Sequence, residues 1–71
     1  MDENNIYKLL GKRIKFLREK AGLTQEKLAE KSNISLDYLG KIEVNINKPG
    51  LKTIIKLSDA LNIPIKSFFE F

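Results

Sequence analysis

The side chains with catalytic potential in this 71-residue sequence are carboxylates, hydroxyls and amines, because it contains neither cysteine nor histidine. The absence of these two residue types removes disulfides, thiolate metal sites and the commonest general base. Glu26 and Glu30 stand one helical turn apart, as paired acid–base carboxylates would. Lysines adjoin both, and no nucleophile or metal ligand lies nearby. We therefore predict a solvated helix face there, no catalytic residue, no metal, no cofactor and no enzymatic activity.

The charge balance permits a polyanionic partner without requiring one. The formal net charge is +4 and the pI is near 9.5, a moderate excess that also serves solubility. The initial residues MDENN do not resemble a signal peptide, and the apolar runs are short and interrupted by lysines. These features predict a single cytoplasmic domain, 1–71, that does not enter a membrane. No small-molecule substrate is evident.

Apolar periodicity predicts an all-α domain of five helices. The predicted ranges are about 5–21, 25–32, 35–44, 51–61 and 64–69. The first is the clearest, because its apolar residues recur in one stripe: Ile6, Leu10, Ile14, Leu17 and Ala21. Pro64 suits the first position of the last helix. Ile65, Phe68 and Phe69 should then close the core against Ile6 and Leu10.

The segment Gln25–Glu43, QEKLAEKSNISLDYLGKIE, has the pattern of two short helices joined by a tight turn. Ala29 is small where the two helices would cross, and Asn33 tolerates the left-handed conformation that the bend requires. Ser35 can cap the second helix, with Asp37 favourably placed in its first turn. This pattern indicates a helix-turn-helix, whose second helix projects so that it can enter a DNA groove.

Four pieces extend the pattern over about 11–69, in the order RIKFLREKAGLTQEKLA, SNISLDYLGKIE, NKPGLKTI and LSDALNIPI. In this order and spacing they resemble the phage-repressor family of helix-turn-helix domains, the Xre type that includes lambda repressor and Cro. The resemblance implies a compact five-helix lambda-repressor-like fold. It also implies a sequence-specific regulator of transcription that binds double-stranded DNA, with its recognition helix, 35–44, in the major groove.

The resemblance also assigns functional residues. An ion pair between Arg18 and Glu43 would tie the first helix to the recognition helix. Base edges would be contacted by Ser35, Leu36, Asp37 and Lys41, with Lys41 donating to guanine and Asp37 accepting from cytosine. Phosphates would be contacted by Thr24, Gln25, Tyr38, Asn47, Lys48 and Lys52. For Tyr38 a half-buried position against the second helix is an equal alternative, and Lys48 and Lys52 could belong to a solvated turn.

Three residues depart from the family pattern. Gly40 in a helix interior costs about 1 kcal/mol relative to alanine. Val44 stands where the family commonly has a basic or polar residue, and Asp37 adds a negative charge to the DNA-facing side. Of these departures, Asp37 and Val44 lend support to a second hypothesis, a protein-interaction module on the same fold that binds DNA weakly. Such a module would be antitoxin-like or would dock a polymerase or repressor.

The C-terminal segment is more apolar than a free terminus needs. One module of this size buries too little surface for tight DNA binding alone, which favours a homodimer on a palindromic operator. The predicted dimer interface comprises Ile55, Ile65, Phe68, Phe69 and Phe71. The alternative is that these residues only complete the core, which we expect for Phe68 or Phe69 but not for all of them.

Overall fold

The computed structural model describes residues 2–71, and the regular structure within that range is entirely helical. The elements are α1 (Glu3–Lys20), α2 (Gln25–Ser32), α3 (Leu36–Glu43), α4 (Leu51–Leu61) and a 3-10 helix (Ile65–Phe69). The predicted all-α class is confirmed. None of the helices in this range is both long and apolar enough to cross a membrane.

The first, third and last elements differ from their predicted bounds, the third by one residue at each end. α1 begins at Glu3 rather than near Asn5, because the Asp2 side chain caps it by accepting from the Asn5 backbone N–H at 3.0 Å. The predicted fifth α-helix is a 3-10 helix, in which the Ser67 N–H bonds the Pro64 carbonyl three residues back at 3.0 Å. The segment is only five residues long, and short connecting or terminal pieces frequently take the 3-10 form.

Local capping fixes the geometry of α2 and α3. The Thr24 hydroxyl accepts from the Lys27 backbone N–H at 3.1 Å, and the Ser35 hydroxyl accepts from that of Tyr38 at 3.0 Å. Asn33 between the helices is left-handed, with φ 57° and ψ 45°. The amide side chain makes Asn one of the few residues that adopt this conformation readily. The turn therefore has the structure that the sequence predicts.

The core is formed by side chains from all five elements: Leu10, Ile14, Leu17, Leu28, Ala29, Leu39, Ile42, Ile54, Leu57 and Phe68. Phe68 is the largest of the completely buried side chains, at 0% exposure. The neighbouring Ile65 and Phe69 remain exposed, as does Ile6. The prediction that all of them close the core is therefore wrong for these three, since the 3-10 helix directs only Phe68 inward.

α1 and α3 approach each other closely at Gly11. A Cβ built on Gly11 would lie 2.5 Å from the carbonyl oxygen of Ile42 and 3.5 Å from that of Glu43. The atoms on both sides belong to backbone, so neither can turn aside as a flexible side chain would. Gly11 therefore allows α1 to lie against the C-terminal end of α3, and this contact helps to set the position of the second helix of the motif.

Candidate nucleic-acid interface

α3 exposes one side and buries the other. Leu39 and Ile42 are buried in the core, whereas Ser35, Leu36 and Asp37 are exposed. The accessible side of α3 thus begins at its N-terminal cap. A helix held in this way can present its first turns to an external surface while its inner residues keep it on the domain.

Lys41 and Asp37, predicted separately as base contacts, form an ion pair. The Lys41 Nζ lies 3.0 Å from Asp37 Oδ2, one turn apart on the accessible side of α3. The lysine side chain is 45% exposed and the aspartate side chain 76% exposed. Pairs with this exposure contribute about 0.3–0.5 kcal/mol, so an incoming partner can rearrange them at little cost.

Arg18 and Glu43 meet in the interior between α1 and α3. The Arg18 Nε donates to Glu43 Oε2 at 2.7 Å and Nη2 donates to Oε1 at 3.1 Å, while Nη1 donates to the Leu23 carbonyl at 2.7 Å. The hydrogen bond with Glu43 raises the pKa of Arg18 above its already high ordinary value, against the opposing effect of burial. This fork fixes the C-terminal end of α3 relative to α1.

Gln25, a predicted phosphate contact, joins the same network. Its Nε2 donates to Glu43 Oε1 at 3.0 Å, so Glu43 accepts hydrogen bonds from both Arg18 and Gln25. The side chain is half-buried, and its amide oxygen lies beside Gly40, 3.7 Å from where a Cβ would stand. The start of α2 is therefore tied to the end of α3. This contact joins residues 18 apart and was not predicted, because the family resemblance implies only Arg18 as the partner of Glu43.

Two further predicted phosphate contacts make hydrogen bonds within the domain. The Thr24 hydroxyl is occupied as the cap of α2, although the residue itself is exposed. Tyr38 is half-buried, and its hydroxyl lies 3.4 Å from the Thr53 hydroxyl of α4. The Tyr38 hydroxyl is therefore directed towards α4 in a part-buried contact.

The remaining predicted phosphate contacts lie in the loop between α3 and α4 and in the first turn of α4. Asn47 is half-buried and Lys52 is exposed in the first turn of α4. Lys48 is exposed but contacts α1, since its Nζ lies 3.2 Å from Asn4 Oδ1 and 5.2 Å from the centroid of the Tyr7 ring. Asn4 and Tyr7 were not among the predicted functional residues, and nothing local in the sequence marks them as partners of Lys48.

The predicted dimer interface loses one member. Phe68 fills the core and has no exposed surface, so its assignment to the interface is wrong. Ile55, Ile65, Phe69 and Phe71 are exposed, and the rings of Phe69 and Phe71 lie 6.5 Å apart. Phe69 also borders an open groove of about 550 Å³, whose other lining residues are Glu3, Ile6, Tyr7, Leu10, Pro49, Leu51 and Ile54.

The helical fold and the accessible second helix of its central motif define the chain as a DNA-binding domain of helix-turn-helix type. The helix-turn-helix family model HTH_3 matches residues 14–68. The chain therefore belongs to the helix-turn-helix family, in its lambda-repressor-like (Xre) branch. The matched relatives are regulatory proteins, and on that ground the prediction that the chain is not an enzyme is confirmed.

Known relatives agree with this placement. The transcriptional regulator ImmR of Bacillus subtilis is 44% identical over 54 residues, which is 76% of this chain and 42% of ImmR. The immunity repressor of Bacillus phage phi105 is 41% identical over 58 residues, which is 82% of this chain and 40% of the repressor. The chain thus spans less than half the length of these two regulators.

Among solved structures, the restriction–modification controller protein C.AhdI from Aeromonas hydrophila has the same fold. It is 35% identical to this chain and superposes with a TM-score of 0.86. The alignment covers 89% of this chain and 96% of the controller protein. The chain therefore matches nearly the whole of one small regulator as well as a portion of longer ones.

Proposed function

We propose that this cytoplasmic protein binds specific double-stranded DNA sequences as a homodimer and thereby regulates transcription. The accessible side of α3 carries the proposal, because hydrogen-bonding side chains project there from a helix whose other side is anchored. In this arrangement Ser35, Leu36, Asp37 and Lys41 contact base edges. Thr24, Gln25, Tyr38, Asn47, Lys48 and Lys52 contact phosphates, which supply affinity but little sequence information.

Selection of binding sites from a pool of random duplex DNA tests the proposal directly. The chain should enrich a two-fold symmetric sequence whose half-sites are about 10 bp apart, or a multiple of that distance. A pool that gains neither a consensus nor symmetry after repeated rounds would contradict sequence-specific binding by a dimer.

The second hypothesis, a protein-interaction module, has one structural observation in its favour. The Asp37–Lys41 pair leaves the accessible side of α3 without the unpaired cation that a recognition helix often presents. A mobility-shift titration against random duplex at low and moderate salt separates the two functions. DNA binding through phosphates weakens steeply as salt rises. Binding that is absent or insensitive to salt would favour the interaction module.

Lys41→Ala and Lys52→Ala should affect DNA binding differently. Lys41→Ala is expected to lose about 1–3 kcal/mol of discrimination at one base-pair position, because it removes a donor to a base edge. Lys52→Ala should weaken binding to all sequences alike and reduce the salt slope by about one. Anisotropy titrations with selected and random duplexes at several salt concentrations measure both effects. Lys15→Ala, an exposed lysine of α1, is the charge-matched control. Identical behaviour of the two variants would contradict the proposed placement of α3.

Phe69→Ser is expected to shift the protein from dimer to monomer. Phe69 is 47% exposed, so its loss should change the stability of the protomer little while removing apolar surface from the proposed interface. Sedimentation velocity measures the dimer fraction, and affinity for the selected duplex should fall with it. Phe16→Ser is the matched control, since Phe16 is 51% exposed on α1. A dimer fraction that Phe69→Ser leaves unchanged would place the interface elsewhere.

A further inference from the structure

The contact between Asp37 and Lys41 has a consequence for specificity if α3 is the recognition helix, as proposed above. The accessible side of α3 carries these two opposite charges beside the uncharged Ser35 and Leu36. The charges lie 3.0 Å apart and sum to zero. We propose that Asp37 and Lys41 act as one unit that recognises a single G·C base pair. In this unit Asp37 determines specificity by restraining Lys41 from binding phosphates indiscriminately.

The pair matches the hydrogen-bonding groups of a G·C pair. A lysine ammonium has three donors, of which one points to Asp37, leaving two for guanine O6 and N7. The carboxylate retains acceptor positions for the N4 amino group of the paired cytosine. The Lys41 donors and the Asp37 acceptor, 3.0 Å apart, therefore match guanine O6 and N7 and the cytosine N4 amino group, which lie side by side in the major groove.

Other base pairs satisfy the unit less well. Adenine offers N7 as its single acceptor beside the N6 donor, so one free donor of Lys41 stays unpaired at A·T. Where thymine O4 or a guanine edge faces Asp37, the carboxylate meets an acceptor and is left unpaired among phosphates. Such mismatches make Asp37 an element that acts against wrong sequences rather than one that only favours the right one.

Asp37 also limits binding to random DNA. Lysine is a compact charge on a flexible four-carbon stem, which would otherwise reach a phosphate on any sequence. With Asp37 beside it, the charge of the ammonium is partly offset, and moving the lysine to a phosphate leaves an unpaired carboxylate that the DNA phosphates repel. The exposed pair is cheap to rearrange, so this restraint depends on charge placement and not on a rigid structure.

A double-mutant cycle with Asp37→Ala, Lys41→Ala and the double variant tests the inference on the duplex selected by the wild-type chain and on random duplex. Lys41→Ala should weaken binding to the selected duplex roughly 10-fold or more, because Asp37 remains without its counter-charge. The double variant should bind the selected duplex more tightly than Lys41→Ala alone. Asp37→Ala should bind random duplex several-fold more tightly and steepen the salt slope by about one.

Lys27 and Glu30 of α2 provide the matched control cycle. Their side chains lie 3.6 Å apart and are 54% and 74% exposed, much like the α3 pair. Glu30→Ala changes the net charge by the same amount as Asp37→Ala, so it reports the effect of overall charge alone. No energetic coupling in DNA affinity is expected between Lys27 and Glu30. Because both pairs are exposed, melting curves should show that every variant folds.

The outcomes separate this inference from the proposed function. If the wild-type chain prefers no sequence over random duplex, recognition by α3 fails and the inference fails with it. If the wild-type chain is selective but the double variant binds no better than Lys41→Ala, the coupled unit is overturned while recognition by α3 stands. The unit is also overturned if Asp37→Ala gains no affinity for random duplex beyond that of Glu30→Ala.

Discussion

Replacing Arg18 with alanine is expected to lower the free energy of unfolding by about 3–5 kcal/mol, because it leaves a buried carboxylate without its counter-charge. The Glu43 side chain is 1% exposed, and its two oxygens receive the Nε and Nη2 donors of Arg18. The Leu23 carbonyl loses its donor in the same substitution. For a domain of this size each kcal/mol shifts the melting temperature by about 4–8 °C. Urea denaturation of the variant and the wild type measures the loss.

The stabilisation through Arg18 should not vary across the physiological pH range. The hydrogen bond with Glu43 raises the pKa of Arg18 in the folded chain. A raised pKa gives a contribution that is fully present below the unfolded pKa and is lost as pH rises through the folded pKa. For an arginine this loss falls in strongly alkaline solution. The difference in stability between wild type and Arg18→Ala that arises from this shift should therefore be constant from pH 7 to about pH 9.

Arg13→Ala is the control for Arg18→Ala. The Arg13 Nε donates at 2.7 Å to the neutral carbonyl of Ser67 in a part-buried position, so Arg13→Ala should cost about 1.5–3 kcal/mol, less than the loss of a buried ion pair. A second variant, Arg18→Met with Glu43→Leu, removes both charges and should regain much of the stability that Arg18→Ala loses. It should not restore DNA binding fully, because Gln25 has lost its acceptor. Equal melting of Arg18→Ala and the wild type would show that the pair contributes nothing.

The helices that the sequence predicts most accurately are those with a strong local signal at their C-terminal end. α2 and α4 have their predicted bounds, and each ends at an asparagine in the left-handed conformation, Asn33 and Asn62. The last element has no comparable signal at its end, and it forms a 3-10 helix in which only Phe68 is buried. Apolar residues in a short terminal segment do not reveal which of them is buried, so the interface prediction included Phe68 wrongly.

The candidate site divides in the same way. The accessible side of α3 follows from helical periodicity, because the buried Leu39 and Ile42 define its opposite side. Asp37 and Lys41 are oppositely charged and four residues apart, a spacing that predicts an ion pair on a helix. The pair was nevertheless not predicted, because each residue was assigned separately to a DNA base. The bonds from Gln25 to Glu43 and from Lys48 to Asn4 join distant segments and, unlike the Arg18–Glu43 pair, are not implied by the family resemblance, so only the folded structure reveals them.

Gly11→Ala is expected to destabilise the domain by about 3 kcal/mol, even though alanine is intrinsically the better helix former by about 1 kcal/mol. Its Cβ would stand 2.5 Å from the Ile42 carbonyl oxygen, a distance that requires α1 and α3 to move apart. Such a movement stretches the Arg18–Glu43 fork, which spans the same two helices. DNA affinity should therefore fall together with the melting temperature measured by circular dichroism.

Gly40→Ala is the control that separates this steric effect from the ordinary cost of glycine in a helix. Gly40 also lies inside a helix, but a Cβ there would meet only the Gln25 amide oxygen, at an ordinary contact distance of 3.7 Å. Gly40→Ala should therefore stabilise the domain by about 0.5–1 kcal/mol, the opposite sign to Gly11→Ala. If both variants were stabilised alike, backbone approach at Gly11 would not constrain the helices. The position of α3 would then have to be set by the buried ion pair and the apolar core alone.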